Sequence, residues 1–496
     1  MGPGIVRSLV PARMDRLPWS PFHTRLVMAL GVAWVLDGLE ITIAGNVGAF
    51  LQRSDTLGLT SAEVGLSASV YLIGEVVGAL FFGWMSDRMG RRKLFILTLA
   101  VYLIASGLTA LSWDLGSYLV LRFIAGTGIG GEYAAVNSAI DEMIPSKYRG
   151  HVDLGVNGTY WLGALLATSA TFVLLDPGGP LDPDWAWRLG FLIGPVIGVL
   201  IWGLRRHLPE SPRWLMTHGR EDEAEGVVAA IEKEVERETG AELPPVPEEQ
   251  AIEVVPQKRL PLIEVARTLF RTYPRRSFLS ATLMICQSFL YNAIFFTYAL
   301  VLTHFYGIEA GDVPVYMFAF ALGNLIGPLT LGRLFDTVGR RQMIAGTYIT
   351  SGTLLAVTGW LFERGALTAT TQTVMWSVIF FIASAAASSA YLTVSEIFPI
   401  EMRAQAISIF FALGQVVGSF GPAIFGALIG DQAHPDPTRL FWGYLFAAGM
   451  MIFAGIVEIL FGVKAERTAL EHVAEPLTAI EARARRTAER RAGETP

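Results

Sequence analysis

The sequence predicts an all-α membrane protein: twelve transmembrane helices in two pseudo-symmetric six-helix bundles. Three observations predict it. Of 496 residues, 52% are hydrophobic and only 17% charged, whereas soluble proteins carry about 25% charged residues. The chain holds twelve apolar stretches, each near the roughly 20 residues that cross a hydrocarbon core. Two charged loop motifs also occur twice, at almost one spacing.

The stretches lie near 25–49, 65–85, 94–112, 117–140, 151–175, 187–205, 277–304, 313–334, 343–362, 371–394, 404–429 and 439–463. Most carry glycines and other small residues, as close helix contact in lipid requires. The loops after spans 2, 4, 8 and 10 hold Arg88, Arg91, Arg92, Lys93, Lys147, Arg149, Arg333, Arg340, Arg341 and Arg403. Loops on the other side hold only Arg53, Arg188, Arg364 and Arg439. The positive-inside rule makes the first group cytoplasmic, and with it both termini. A multi-pass protein of the cell (plasma or inner) membrane is expected, without a cleavable signal peptide. The single cysteine, Cys286, excludes a disulfide framework.

The expected organisation is an N-terminal bundle over 1–205, a cytoplasmic linker over 206–276, a C-terminal bundle over 277–463 and a tail over 464–496. The linker reads as a charged helix from Glu221 to Glu238, a proline-rich break at Leu243–Pro247, and an amphipathic segment from Leu260 to Phe270. The tail, rich in Ala, Arg and Glu, reads as a partly helical, solvated extension.

The repeats come next. Gly83-Trp-Met-Ser-Asp87-Arg88-Met-Gly90-Arg91-Arg92 follows span 2, and Gly332-Arg-Leu-Phe-Asp336-Thr-Val-Gly339-Arg340-Arg341 follows span 8. Asp336 against Asp87 is an offset of 249. Glu142-Met-Ile-Pro145-Ser-Lys-Tyr-Arg149 ends span 4, and Glu396-Ile-Phe-Pro399-Ile-Glu-Met-Arg403 ends span 10, an offset of 254. Such duplicated halves are a transporter architecture with its solute site between them. These paired motifs, with Pro209-Glu210-Ser-Pro-Arg213-Trp-Leu215 after span 6, resemble the major facilitator superfamily. The branch they resemble is shared by sugar porters, organic-ion transporters and metabolite–proton symporters. The resemblance implies alternating access, the halves rocking about a central cavity.

Asp87, Arg88, Arg91, Arg92, Glu142 and Arg149, with Asp336, Arg340, Arg341, Glu396 and Arg403, then read as a cytoplasmic gate. Glu210 and Arg213 join it. The bland alternative is topology-setting charge, since exposed pairs contribute little. Ionisable residues at membrane depth are functional candidates by default: Asp37 and Glu40 in span 1, Glu75 in span 2, and Arg122 and Glu132 in span 4. An Asp in span 1 facing an Arg in span 4 resembles the coupling pair of proton-driven sugar porters. Burial favours a neutral carboxyl and a guanidinium favours the charged one, so movement of Arg122 would load or release a proton. A static Glu40–Arg122 pair is the alternative. Gly126-Thr-Gly-Ile-Gly-Gly131 fits a dinucleotide fingerprint, but inside an apolar span it reads as a helix contact. The sequon at Asn157-Gly-Thr159 likewise lies within a span.

For the solute, Asn157, Tyr160, Trp161, Gln287, Tyr291, Asn292, Asn324 and Gln415 supply amides and rings that hydrogen-bond and stack. Lipid-facing or packing roles are the alternative for each. Cys286-Gln287 and Asn292-Ala293 partly match a sugar-porter element, but Leu290 replaces its Gly and Phe296-Thr297 its paired Tyr. Ser388-Ser-Ala-Tyr391 stands where Gly-Pro-x2-Trp is expected. These departures argue against a hexose. The leading expectation is a proton symporter of a small carboxylate or aromatic acid. The alternatives are a sugar–proton symporter, a proton-driven exporter of drugs or organic cations, and a transporter-like sensor. No catalytic residue, cofactor, metal or nucleic-acid partner is expected, and a monomer is. No phosphate-binding G-x4-G-K-[ST] loop supports an ATP-driven pump. The intramembrane charges fall in the first half, which assigns the ion to that half and more of the solute recognition to the second.

Overall fold

The computed structural model describes residues 6–51, 53–59, 61–175, 181–205, 208–254, 261–308, 313–429, 436–480 and 483. Twelve helical passes follow one another, numbered here as spans 1 to 12. The first six are Pro21–Leu51, Ser61–Met89, Arg91–Thr109, Leu115–Met143, Arg149–Leu174 and Pro183–Arg205. The second six are Pro274–Tyr306, Val313–Thr337, Arg340–Glu363, Ala369–Ile397, Arg403–Ile429 and Pro437–Phe461. Among the described residues, nine passes are long and apolar enough to cross a membrane by length and composition. The others are span 5, divided at Thr159, span 6, and span 9, whose middle is rich in Thr and Gly.

Local chemistry sets the ends and breaks. Asp114 and Thr368 each form a capping box, with Ser117 and Thr371, at the starts of spans 4 and 10. The positive φ of Gly90 (+91°) and Gly339 (+126°) makes the sharp entries to spans 3 and 9. Span 11 breaks at Ser419, three residues before Pro422, whose ring nitrogen has no hydrogen to give the helix. The glycine run of span 4 is indeed a contact surface. A Cβ on Gly126 or Gly130 would strike the carbonyl of Tyr71 or Glu75, and one on Gly74 or Gly78 that of Phe123 or Thr127. Spans 2 and 4 therefore touch backbone to backbone.

The linker and the N-terminal segment pack together. Val6–Ser8 pairs antiparallel with Ile252–Val254. Helix Glu221–Thr239 buries the stripe Ala224, Val228, Ile231 and Val235. Arg13 Nε and Arg16 Nη2 bond its Glu232 at 3.0 and 2.5 Å, and Arg25 bonds Glu238 at 2.6 Å. The tail is not a free solvated extension over its described part. Leu470 and Ala474 are buried, and Glu401 accepts from the backbone N–H of Leu477 (3.1 Å) and Thr478 (3.0 Å). Apolar residues that a charged sequence pattern hides have pulled the segment down. The remainder of the tail lies outside the described residues.

Candidate functional site

A cavity of about 150 Å³ lies midway along the helices, between the two six-helix groups. Both groups line it equally. Rings on its walls meet rings of the other half. Trp34 lies edge-on to Tyr391 (5.3 Å between centroids), Tyr133 stacks on Phe411 (4.6 Å), and Trp161 meets Tyr291 and Phe295 (6.1 and 5.5 Å). Asn157, Tyr160, Trp161, Gln287, Tyr291, Asn292 and Gln415 all line this space. Asn324 does not. It is buried behind Tyr291, accepting from that hydroxyl at 2.8 Å and donating to the Phe320 carbonyl at 3.0 Å.

Two carboxylates reach the cavity, and no Lys, Arg or His among the described residues does. Asp37 is held by two phenols: Tyr71 donates to Oδ1 at 3.2 Å and Tyr133 donates to Oδ2. Glu75 accepts from Gln415 Nε2 at 3.3 Å. Gln415 is steadied in turn by Ser288, whose hydroxyl donates to its Oε1 at 2.8 Å. This chain joins span 2 of one half to spans 7 and 11 of the other. Glu132 is buried beside Asp37, Trp34 and Tyr133 around a much smaller void.

Arg122 does not face Asp37. It pairs with Glu40, whose second oxygen accepts from Ser106 (2.7 Å) and Tyr102 (3.2 Å). Its guanidinium also lies 4.2 Å from the Tyr71 ring centre. Although Asp37 and Glu40 are three residues apart, one turns to the cavity and the other to spans 3 and 4. The turn of a helix separates them by about 60°, enough to put a cavity wall between them.

The charged motifs build one closed face, and their pairing repeats in both halves. Arg91 Nη2 donates to Glu142 at 2.7 Å, and Arg340 donates to Glu396 at 2.9 and 3.0 Å. Each arginine also bonds a carbonyl five residues earlier, Ser86 or Phe335. Across the halves, Arg149 lies 3.5 Å from Glu396, and Asp336 accepts from the backbone of Gly150 and His151. Glu142 is not the partner of Arg149, which turns instead to Asp15, Asp141 and Glu396. Arg213 bonds Asp15 at 2.8 Å and lies 3.4 Å from Glu471. Arg403 is buried with a 3.4 Å bond to the Phe398 carbonyl, Arg88 lies over Trp84 at 3.7 Å, and Arg341 bonds the Ile459 carbonyl. The Asp87 side chain lies outside the described residues. Glu210 accepts from the backbone N–H of Arg91 (2.7 Å) and Arg92 (3.4 Å). Burial raises its carboxyl above the usual range against the pull of those N–H groups.

A family model described as "Sugar (and other) transporter" matches residues 41–476. The chain belongs to this family. A niacin transporter, NiaP of Acinetobacter baylyi, is 26% identical over 463 residues, 93% of this chain and 99% of that protein. A putative metabolite transport protein of Bacillus subtilis, YyaJ, is 26% identical over 466 residues, 91% and 94% of the two chains. In structure the chain is similar to the major facilitator superfamily proton:xylose symporter XylE bound to 6-bromo-6-deoxy-D-glucose. The TM-score is 0.73 at 18% identity, over 91% of this chain and 98% of that one. The twelve-helix, two-domain fold is thus that of a sugar-porter-type transporter, a multi-pass membrane protein of a family that moves small molecules.

Several positions of this transporter escape sequence reading. Tyr71, Tyr133 and Tyr391 look like ordinary span aromatics until the fold turns them on Asp37 and the cavity. Glu466 accepts from Arg340 N at 3.4 Å as Glu210 does from Arg91 N. Glu466 lies 256 residues after Glu210, close to the 249 and 254 of the other repeats. That spacing is the signal that could have found it.

Proposed function

We propose that this transporter moves a small planar aromatic acid together with a proton, by alternating access across the plasma or inner membrane. The observation that carries this is the ring-walled, amide-lined cavity whose charged groups, among the described residues, are Asp37 and Glu75 alone. A flat solute stacks between Trp34, Tyr133 and Trp161 while Asn157, Gln287 and Asn292 bond its polar edge. Among the described lining residues an anion meets no cation, so it enters beside a protonated Asp37, whose O–H becomes a donor. Each then strengthens the other's binding by the same factor, which is symport expressed as linkage. A relative's name, niacin transporter, supports a pyridine carboxylate as the first solute to test. The five intramembrane charges divide the work: Asp37 and Glu75 carry protons at the cavity, Glu132 flanks Asp37, and Glu40–Arg122 fixes the bundle around them. The motif residues act as the inner gate, closed here, with both termini on the same side.

The acidic lining also favours a second reading, export of an organic cation in exchange for protons. The protein in proteoliposomes with an internal pH dye separates them. Nicotinate, neutral nicotinamide and cationic N-methylnicotinamide are added outside in turn. Nicotinate-dependent internal acidification supports symport, and alkalinisation with the cation supports exchange. Absence of any proton movement during accumulation would overturn proton coupling. Asp37→Asn should then abolish uphill accumulation while nicotinate exchange at equal pH persists.

A further inference from the structure

Between cavity and gate lies a carboxylate that neither uses. Asp153 of span 5 is fully buried, and neither of its oxygens has a hydrogen-bond partner among the described residues. It stands one turn after Arg149 and one turn before Asn157. The Asn157 amide donates to the Asp153 backbone carbonyl at 2.8 Å and to Asn137 Oδ1 at 3.3 Å, while its own Oδ1 has no partner. Asn157 lines the cavity, so Asp153 lies directly behind it on the gate side.

The nearby arginines are committed elsewhere. Arg340 is engaged by Asp336 and Glu396, and Arg149 by Asp15, Asp141 and Glu396. Among the described residues, no ion pair includes Asp153. The charged groups that act on it are Asp141 of span 4, Glu396 of span 10 and Arg340 of span 9. On its own helix stand Arg149 and His151, and His151 Nδ1 is directed to Asp336 of span 8 at 3.1 Å. Two of the three acting groups are themselves carboxylates. Taking a bare carboxylate out of water is costly, and a proton removes that cost.

We propose that Asp153 is a second proton-binding site, the inner station through which the transported proton passes from the cavity to the gate. This rests on the proton-coupled reading above. The proton leaves the Asp37 carboxyl, crosses on water admitted at Asn157, and adds to the Asp153 carboxylate, leaving Asp37 ionised. When the Arg149–Glu396 and Asp336–His151 contacts part, Asp153 meets water on the motif face and releases the proton to it. Asp153 is thus loaded with the gate shut and emptied with it open.

The test combines infrared titration of ligand-free, full-length protein in nanodiscs with nicotinate transport in proteoliposomes. Asp153→Asn should remove one titrating carboxylic C=O band that Asp37→Asn retains. It should also lower uphill nicotinate accumulation by about tenfold more than nicotinate exchange, since only the former needs proton release. Asp153→Glu, which keeps a carboxyl, should shift that band and restore part of the accumulation. An infrared titration unchanged by either substitution at 153 overturns the proposal. So does parallel loss of accumulation and exchange, which marks a static buried acid. If wild-type protein moves no protons with any solute, the symport reading fails on its own, and the ligand-free infrared comparison still decides whether Asp153 binds a proton.

Discussion

Asp336 of span 8 caps span 5 of the opposite half: its Oδ2 accepts from His151 N at 2.8 Å and its Oδ1 from Gly150 N at 3.2 Å. A helix start leaves its first N–H groups unpaired, and here the missing acceptor belongs to the other bundle. The helix is therefore complete only while the motif face is closed. Losing a cap costs about 1–2 kcal/mol, so Asp336→Ala should move the closed–open balance roughly 5- to 30-fold toward open. Spin labels at the exposed positions Lys147 and Arg333, measured for distance in nanodiscs, report that shift.

The Glu40–Arg122 pair is enclosed on every side, with Ser106 and Tyr102 completing Glu40. Arg122→Met strands a buried carboxylate, a loss of about 3–5 kcal/mol when one partner goes. Adding Glu40→Met should recover most of the lost thermal stability. If the pair is structural, the double variant also keeps proton-driven accumulation. Differential scanning fluorimetry and uptake on the same preparations check both.

Gln415 hands a donor to Glu75 across the halves. Gln415→Glu replaces that donor with a second carboxylate, and two acids sharing a site cannot both ionise freely. Nicotinate exchange by this variant should fall as pH rises, over a range where Gln415→Asn stays flat. A pH series of counterflow rates distinguishes them.

Outside the membrane, burial raises the Glu232 carboxyl, but bonds from Arg13 and Arg16 outweigh it and hold the group below the usual range. A lowered folded value means its contribution is present above the unfolded pKa and lost as pH falls through the folded one. Acidification below the ordinary glutamate range should therefore loosen helix Glu221–Thr239 from the N-terminal segment. Glu232→Gln should loosen it at neutral pH. Deuterium exchange of residues 221–239, normalised for intrinsic rate, follows both.

How much of this was legible beforehand depends on the range of each interaction. Span number and the repeat follow from hydropathy and spacing, because both halves obey one design, but the pairing of the motif charges, Arg91 with Glu142 and Arg340 with Glu396, comes only from the fold. The cavity-lining residues on spans 5, 7 and 11 were legible as residue types, though Asn324 turned away because its amide satisfies the helix behind Tyr291. Arg122 stands against Glu40, the alternative pairing, and not against Asp37, because three residues on a helix share a side but not a direction. Asp141 and Asp153 were hidden for another reason: a lone Asp near a span end looks like ordinary solvated charge. The tail was misread because its few apolar residues are diluted by Arg and Glu.

The absence of Lys, Arg and His from the described cavity lining bears on bioenergetics. A monoanion that travels with one proton carries no net charge, so the membrane voltage does no work on that step. Its accumulation then follows the pH gradient alone. A second proton per cycle would make the net charge moved across positive by one, and each 100 mV would add about 2.3 kcal/mol to uptake. Clamping the voltage with valinomycin at fixed pH gradient therefore counts the protons that the cavity and its neighbours load.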